Sequence, residues 1–226
     1  MEILLVSATS KEINPLYQMI KEEAKDFQNE EIIVTSFHRV RFLVTGVGGV
    51  ATAASLSAHL SHNKYDLAIN MGIAGAFSEA LNLGDVVSVG EDRFGDFGIE
   101  EADGSFSDLF AVGLSSENEF PFENGKLGCT AAWSSLVLPQ VRAITVNKVH
   151  GNDESIERIK EKFNPDIETM EGAAFYYSCH LMHQPCVQIR SISNKVERRN
   201  RENWNIPLAL KNLTDQLFYL LTKKLS

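Results

Sequence analysis

The chain has 226 residues, of which 44% are hydrophobic and 23% are charged, a composition typical of a soluble globular protein. Its formal net charge of −9 argues against binding to nucleic acid or to an anionic membrane, because phosphate groups attract basic surfaces. Three cysteines in a chain of this size, and an N-terminal run without a basic segment or a cleavage site, predict a reduced, cytoplasmic location.

Apolar runs alternate with helical patterns along the chain. Buried strands are predicted at residues 2–8, 31–38, 40–46, 66–72, 85–89, 141–147 and 186–193. Helices are predicted through residues 13–24, at 50–60, from the cap-like pair Asn152–Asp153, from about Glu171, and over 205–225. This alternation predicts an α/β fold, in which residues 1–226 form a single domain with a mixed sheet flanked by helices on both faces.

The segment 91–125 interrupts the alternation, since it is acidic and glycine-rich and holds six of the thirteen phenylalanines. Long segments of this kind are often functional loops, lids or interface pieces. The alternative is a flexible excursion with a local hydrophobic cluster. The sequence leaves both interpretations open.

GVGGVA (46–51) fits a dinucleotide-binding pattern, with Asp66 twenty residues later. The context contradicts it, because the glycines follow what reads as a third strand and Asp66 begins a strand. The glycines more simply let the backbone approach a ligand or a helix approach the sheet. His180 and His183 lack further residues at ligand spacing, so the sequence predicts no metal site.

Three acidic residues have a position that suits either chemistry or local structure. Glu12 follows the first strand, where open α/β sheets form their binding crevice, but a first-turn glutamate also stabilises a helix. Glu171 opens a helix beside small residues, and Asp85 is placed to shape a turn. From position alone, the local structural role is the favoured interpretation.

Six segments match, in order, the motifs of one enzyme superfamily. They are ATSKE (8–12), TGVGGVATAA (45–54), INMGIAGAF (69–77), LGDVV (83–87), TMEGAA (169–174) and RSISN (190–194). Together they resemble the purine nucleoside phosphorylase and nucleosidase superfamily, most closely its branch of methylthioadenosine/S-adenosylhomocysteine nucleosidases and futalosine hydrolases. The resemblance implies a nucleoside phosphorylase-like fold, a small-molecule nucleoside substrate, no cofactor, and a homo-oligomer that is a dimer or larger.

The resemblance also implies roles for the matching residues. Glu12 takes the place of the general base that activates water, and Glu171 that of the acceptor for the ribose 2′- and 3′-hydroxyls. Further substrate contacts are implied for Met170 below the ribose, for Ser193 and Gly75, and for Val149 or its neighbour His150, where the family packs a side chain against the base and uses backbone groups.

Asn194 departs from the adenine-cleaving members of this branch, which have an aspartate in its place. An asparagine cannot act as a general acid near neutral pH, but its amide presents one donor and one acceptor side by side. A 6-oxopurine offers O6 as an acceptor and, in the departing base, N7–H as a donor. Asn194 therefore favours hypoxanthine or guanine as the leaving group.

The segment KVERRNRENW (195–204) resembles the futalosine hydrolase version of the motif. Futalosine carries hypoxanthine on one side of its ribose and an aromatic carboxylate on the other. One of Arg198, Arg199 and Arg201 is expected to pair with the carboxylate, and Trp204 to stack on the aryl ring. The alternative is that these arginines only solvate the start of the last helix.

The resemblance thus implies an N-glycosyl hydrolase that splits futalosine into hypoxanthine and dehypoxanthine futalosine, a step of menaquinone biosynthesis. Ile73 and Ala74 stand where a phosphorylase would need a hydroxyl group, and the first loop lacks an arginine, which favours water over phosphate as the nucleophile. A partner subunit could still supply an arginine. The rivals are a methylthioadenosine/S-adenosylhomocysteine nucleosidase and a non-catalytic nucleoside-binding protein on the same fold.

Overall fold

The computed structural model describes residues 1–24, 26–29, 32–131 and 138–222. Its strands are β1 (Glu2–Ser7), β2 (Asp26–Asn29), β3 (Ile32–Val34), β4 (Arg39–Val44), β5 (Leu67–Ala76), β6 (Val86–Phe94), β7 (Gly98–Glu100), β8 (Phe106–Asp108), β9 (Leu127–Gly128), β10 (Gln140–Thr145), β11 (Ile167–Thr169) and β12 (Cys186–Lys195). Its helices are α1 (Ser10–Glu23), α2 (Gly49–Leu60), α3 (Asp153–Phe163), α4 (Gly172–Leu181) and α5 (Ile206–Thr222).

Ten of these strands form one mixed sheet in the order β11-β10-β6-β12-β5-β1-β4-β3-β2, with β9 paired to β6. A further antiparallel pairing of β11 with β5 closes the first five strands of this order into a ring. The strands β7 and β8 form a separate hairpin. Within the described ranges the predicted fold class, a mixed sheet with helices on both faces, is confirmed.

The two faces of the sheet are covered by different helix pairs, because alternate residues of a strand point to opposite faces. In β1, Ile3 and Leu5 pack with α1 and α5, whereas Leu4 and Val6 pack with α2 and α4. The helix α3 begins at the N-cap Asn152, whose side chain accepts hydrogen bonds from two backbone N–H groups of the first turn. The hydrophobic alternation thus produces a sheet buried on both sides.

The strands β1, β4, β5 and β12 run parallel, so their carboxyl ends meet at one edge of the sheet. Open α/β sheets bind ligands at this edge. The motif segments that end these strands or follow them directly are therefore brought close together in space. That edge contains the candidate site described below.

Two strands are longer than the sequence predicts. β5 continues past residue 72 to Ala76, and β6 continues past residue 89 to Phe94. The neighbours of Gly72 in β5 leave no room for a side chain, because a Cβ there would collide with the Arg190 guanidinium. Glycine is therefore the residue that fits at this point of the strand. Glu31 and residues 223–225, which belong to predicted elements, lie outside the described residues.

The segment 91–125 packs through a local aromatic cluster. Phe94 contacts Phe122 and Phe97, and Phe122 also contacts Phe110 and Tyr177 of α4, with ring centroids 5.2–6.5 Å apart. These contacts anchor the segment to α4 and do not decide between the two interpretations of the segment. None of the helices in the described ranges has the length and apolar composition needed to cross a bilayer.

Candidate active site

A cleft of about 390 Å³ opens at the carboxyl edge of the parallel strands. It is bounded by the turns after β1, β4 and β10, by the carboxyl halves of β5 and β12, by β11 with the start of α4, and by residues 199–210. The predicted site residues that line it are Glu12, Gly75, Val149, His150, Met170, Glu171, Ser193, Asn194 and Trp204. Arg198 and Arg201 are exposed and are not among the lining residues.

Glu12 lies in the first turn of α1 and has a defined orientation. Its Oε2 is 2.8 Å from Thr9 Oγ1, 3.1 Å from Thr9 N and 3.2 Å from Ser7 Oγ, while Oε1 accepts from Ile73 N at 3.4 Å. The helix-start interpretation and the active-site interpretation are therefore compatible. The same hydrogen bonds that begin the helix hold a half-buried carboxylate at the cleft wall.

Glu171 precedes the first residue of α4 and is only 7% exposed. Its Oε1 accepts a 2.9 Å hydrogen bond from the backbone N–H of Gly48, in the turn after β4. Burial raises the pKa of Glu171, and the negative charge of Glu12 adds to this rise, whereas the positive charge of Arg190 and the Gly48 N–H oppose it. The glycine-rich turn thus serves to orient an acidic residue.

Arg190 is a buried cation close to both acids. It is 2% exposed, its guanidinium donates to Asn70 Oδ1 and to Gln188 Oε1, and it approaches the same face of Gly72 as Glu12 Oε1. The next buried acid, Asp92, accepts from Gln188 Nε2 at 3.0 Å. A buried cation between carboxylates offsets their mutual repulsion.

Ser193 and Asn194 end β12 beside the β5 backbone. Ser193 Oγ is 2.8 Å from Asn194 Oδ1 and 3.2 Å from the Ala74 carbonyl oxygen, and Asn194 Nδ2 donates to the Lys195 carbonyl at 2.9 Å. These contacts orient the amide of Asn194 but use only part of its hydrogen-bonding capacity. One lone pair of Oδ1 and one N–H of Nδ2 remain for a ligand.

His150 differs from the sequence expectation in one respect. Its backbone N–H donates to Glu168 Oε1 at 3.0 Å, so this group is already used and does not serve a ligand. The ring Nδ1 lies 2.6 Å from Glu168 Oε2. Both residues line the cleft, and Val149 lies beside them.

Two cations and an aromatic ring also line the cleft. The Arg199 guanidinium lies over the Trp204 ring, 5.4 Å from its centroid, and Lys11 lines the same cleft. Across the described ranges, neither cation has a salt-bridge partner. The Arg199 backbone N–H donates to the Gly151 carbonyl at 3.1 Å, which holds the residue against the turn after β10.

Residues 2–221 match the family model described as the Phosphorylase superfamily. The chain belongs to the phosphorylase superfamily. Membership accounts for the ordered motifs, five of which contribute residues to the lining of a single cleft, whereas LGDVV (83–87) does not.

Individual superfamily members resemble the chain to different degrees. It is 29% identical over 185 residues to the futalosine hydrolase of Thermus thermophilus, a match that covers 81% of each chain. The solved structure of Streptococcus pneumoniae MTA/SAH nucleosidase with 8-aminoadenine superposes with a TM-score of 0.78 at 22% identity, covering 98% of this chain and 99% of that one. S-adenosylhomocysteine nucleosidase from Streptococcus pyogenes with 5-methylthiotubericidin gives 0.78 at 21%, covering 98% and 96%. These two likenesses show the superfamily fold.

Other residues singled out in the sequence have local roles. Asp85 accepts from the Asn82 backbone N–H at 2.7 Å, which confirms its place in a turn, and Asp66 accepts from the Glu2 backbone N–H at 2.7 Å. His180 contacts the Gly128 carbonyl at 2.8 Å. In the described part of the chain, no group of three His, Cys, Asp or Glu side chains is placed to hold a metal ion.

Three charged residues in or near the cleft were not identified as site residues from sequence. Lys11 is adjacent to Glu12, Glu168 is three residues before Glu171, and Arg190 begins the RSISN segment. The signal was present in each case, since the residue lies inside or next to a superfamily motif. A charge in such a position is informative only once the fold shows which way it points.

Proposed function

We propose that the protein is an N-ribosyl hydrolase that cleaves futalosine to hypoxanthine and dehypoxanthine futalosine, a step of menaquinone biosynthesis. Membership of the phosphorylase superfamily and the nucleosidase names of its relatives support an enzyme that cleaves an N-glycosidic bond. The observation that carries the choice of substrate is the Arg199 guanidinium over Trp204, with Lys11 lining the same cleft as Asn194 and with no salt-bridge partner for either cation among the described residues.

The base end of the cleft is complementary to a departing 6-oxopurine. Asn194 Oδ1 is available to accept from N7–H, and Nδ2 is available to donate to O6. Adenine would place its amino group against the Nδ2 donor, which leaves a buried polar contact unmatched and costs roughly 1–3 kcal/mol. Hypoxanthine is therefore the favoured leaving group.

The centre of the cleft suits the charge changes of N-glycosidic cleavage. The ribose ring gains positive charge as the bond to the base breaks, and preorganised charges stabilise such a transition state most effectively. Glu12 would orient and deprotonate the attacking water, and Glu171 would accept hydrogen bonds from the ribose hydroxyls with Met170 packed below the sugar. Arg190 would hold the two carboxylates in place without touching the substrate.

The part of the cleft around Arg199 and Trp204 suits an aryl carboxylate. Trp204 offers a flat apolar surface, and the guanidinium of Arg199 can form two parallel hydrogen bonds to a carboxylate. Lys11 adds a second positive charge. Because Glu12, Glu168 and Glu171 line the same cleft, a carboxylate on the ligand would have to bind beside these cations and away from the three acids.

Water is proposed as the nucleophile rather than phosphate. The β5 residues Ile73 and Ala74 bring no hydroxyl group to the cleft, and Glu12 beside Ile73 N would repel a phosphate dianion. A base, in contrast, is what a water molecule requires. Cleavage is therefore expected to be independent of phosphate.

Kinetics of Arg199→Met test the choice of substrate. Methionine keeps much of the packing against Gly151 and removes the charge, so KM for futalosine should rise about 10-fold or more, as expected for loss of a charge-assisted pair. Inosine lacks the carboxylate, and its KM should change less than about 2-fold. Arg198→Met, an exposed neighbour outside the cleft lining, is the matched control. Equal losses for futalosine and inosine would refute the proposed carboxylate contact.

A further inference from the structure

The base end of the cleft contains a buried acid to which no motif assigns a role. Glu168 lies on β11 and is 4% exposed. Its oxygens accept from the backbone N–H of His150 at 3.0 Å and from the ring Nδ1 at 2.6 Å. Because one carboxylate binds both the backbone and the ring of the same residue, it fixes the position of that ring.

The contact with Glu168 also determines which nitrogen of His150 carries the proton. A carboxylate can only accept, so Nδ1 must donate, and in the neutral imidazole Nε2 is then an acceptor. Considering the described residues alone, Nε2 has no hydrogen-bond partner, and the ring lines the cleft. In its neutral form, His150 therefore presents an acceptor to a ligand.

The sheet register places Glu168, the partner of the His150 ring, across Gly75 from Asn194. Gly75 of β5 is paired with Asn194 of β12 on one side and with Glu168 of β11 on the other. Neighbouring strands are about 4.8 Å apart, so the two residues are separated by roughly 10 Å across Gly75. A Cβ on Gly75 would lie 3.1 Å from Asn194 Nδ2, and glycine thus keeps the surface between them open.

We infer that Glu168 and His150 form a second recognition element for the base, in which Glu168 is a positioning residue and His150 Nε2 accepts a hydrogen bond from N1–H of a 6-oxopurine. The inference deepens the proposed function and rests on it. A 6-oxopurine carries a proton on N1, whereas adenine N1 is itself an acceptor. Two acceptors repel each other, so the pair discriminates against adenine at an edge that Asn194 does not contact.

Calorimetric binding of free hypoxanthine and free adenine tests the inference without requiring turnover. The wild-type protein should bind hypoxanthine about 10-fold or more tightly than adenine. In Glu168→Gln the amide can present its NH₂ group to Nδ1, which turns Nε2 into a donor. This variant should lose most of the preference for hypoxanthine.

Phe77→Leu is the matched control, because the Phe77 ring packs beside the His150 ring, with 6.3 Å between centroids. Its loss removes a packing contact without reversing the tautomer, so this variant should still prefer hypoxanthine to adenine. A purely structural role of Glu168 would weaken both bases equally and leave their ratio unchanged.

An unchanged ratio of hypoxanthine to adenine affinity in Glu168→Gln overturns the inference. A wild-type protein that prefers adenine, or that binds no hypoxanthine, overturns it as well. Failure of the proposed function is distinguishable from these outcomes. A protein that releases no hypoxanthine from futalosine, but whose base preference depends on Glu168, refutes the substrate and retains the recognition element.

Discussion

Glu12 illustrates how one residue combines a structural and a proposed chemical role. Four donor atoms lie within hydrogen-bonding distance of its carboxylate, three of them near Oε2 and one near Oε1. Oε1, with a single 3.4 Å contact, is the oxygen less engaged by the protein. We therefore propose that this oxygen takes the proton of the attacking water.

Replacing Glu12 by Gln should lower kcat by about 10²–10⁴-fold, because an amide cannot accept a proton. Affinity for free hypoxanthine should stay within about 3-fold, since the base end of the cleft is unchanged. Steady-state kinetics and calorimetry measure the two quantities. Glu22→Gln, an exposed change on the same helix, controls for the altered net charge. Turnover of Glu12→Gln close to that of the control would exclude Glu12 as the base.

Glu168 was not identified from sequence. Met170, Glu171, Ser193 and Asn194 were predictable as candidates because each lies in an ordered motif. The choice among the three arginines was not. Arg199 is directed by a nonlocal contact with Gly151, and Arg201 begins a 3₁₀ turn that Asn200 caps. The contact of Arg199 with Gly151 depends on how the turn after β10 packs against the residues that follow β12. The local sequence of the segment does not indicate this packing.

At the scale of elements, the turn after β4 orients Glu171. Gly48 has φ +91° and ψ 162°, a conformation that residues other than glycine rarely adopt, and its N–H donates to the Glu171 carboxylate. The sequence showed that glycines in this turn permit a close approach. It did not show that the group approached is an acid of the protein itself.

Gly48→Ala should reduce both stability and substrate affinity. No atom lies within 4 Å of the added Cβ, so the change acts through backbone strain, which costs about 1–3 kcal/mol. The strain should displace the N–H from Glu171 and raise KM for futalosine by about 10-fold, measured together with urea unfolding. Val50→Ala, at a side chain that is 82% exposed two residues later, should leave both unchanged. Indistinguishable results for the two variants would contradict the account.

The types and order of the main elements followed from hydrophobic periodicity. The short strands β2, β7, β8, β9 and β11 were not predicted, and neither were the extensions of β5 and β6 or the closure of β11 onto β5. Glycine and charged residues normally end a strand pattern, but here Gly72 and Gly75 continue the strand because Arg190 and Asn194 occupy the space beside them. Pairing between segments far apart in sequence leaves no local signal.

At the scale of the whole molecule, a buried chain of polar side chains runs across the strands β12, β6 and β10. Arg190 contacts Gln188, Gln188 contacts Asp92, and Asp92 accepts from Thr145 Oγ1 at 3.0 Å. Burial raises the pKa of Asp92 to about 7, although the hydrogen bonds from Gln188 and Thr145 and the charge of Arg190 oppose the rise. Such a carboxyl group links stability to pH.

Between pH 3.8 and about 7 the unfolded Asp92 releases its proton while the folded one retains it, so its contribution to stability falls as pH rises through that window. The unfolding free energy of the wild type minus that of Asp92→Asn should therefore decrease by a few kcal/mol from pH 4 to pH 7. Above pH 7 this difference should stay constant. Urea unfolding at several pH values measures it. Asp103→Asn, a surface change, is the control and should not show this decrease. A difference independent of pH would show that Asp92 is not protonated in the folded protein.

The central claim is that one cleft recognises a 6-oxopurine and a carboxylate on opposite sides of a ribose and cleaves the bond with water. Product analysis tests it most directly, after incubation with futalosine, methylthioadenosine or inosine, each with and without phosphate. The account predicts hypoxanthine from futalosine at a rate that phosphate does not change, slower release from inosine, and little adenine from methylthioadenosine. Adenine as the main product, or cleavage that requires phosphate, would contradict it.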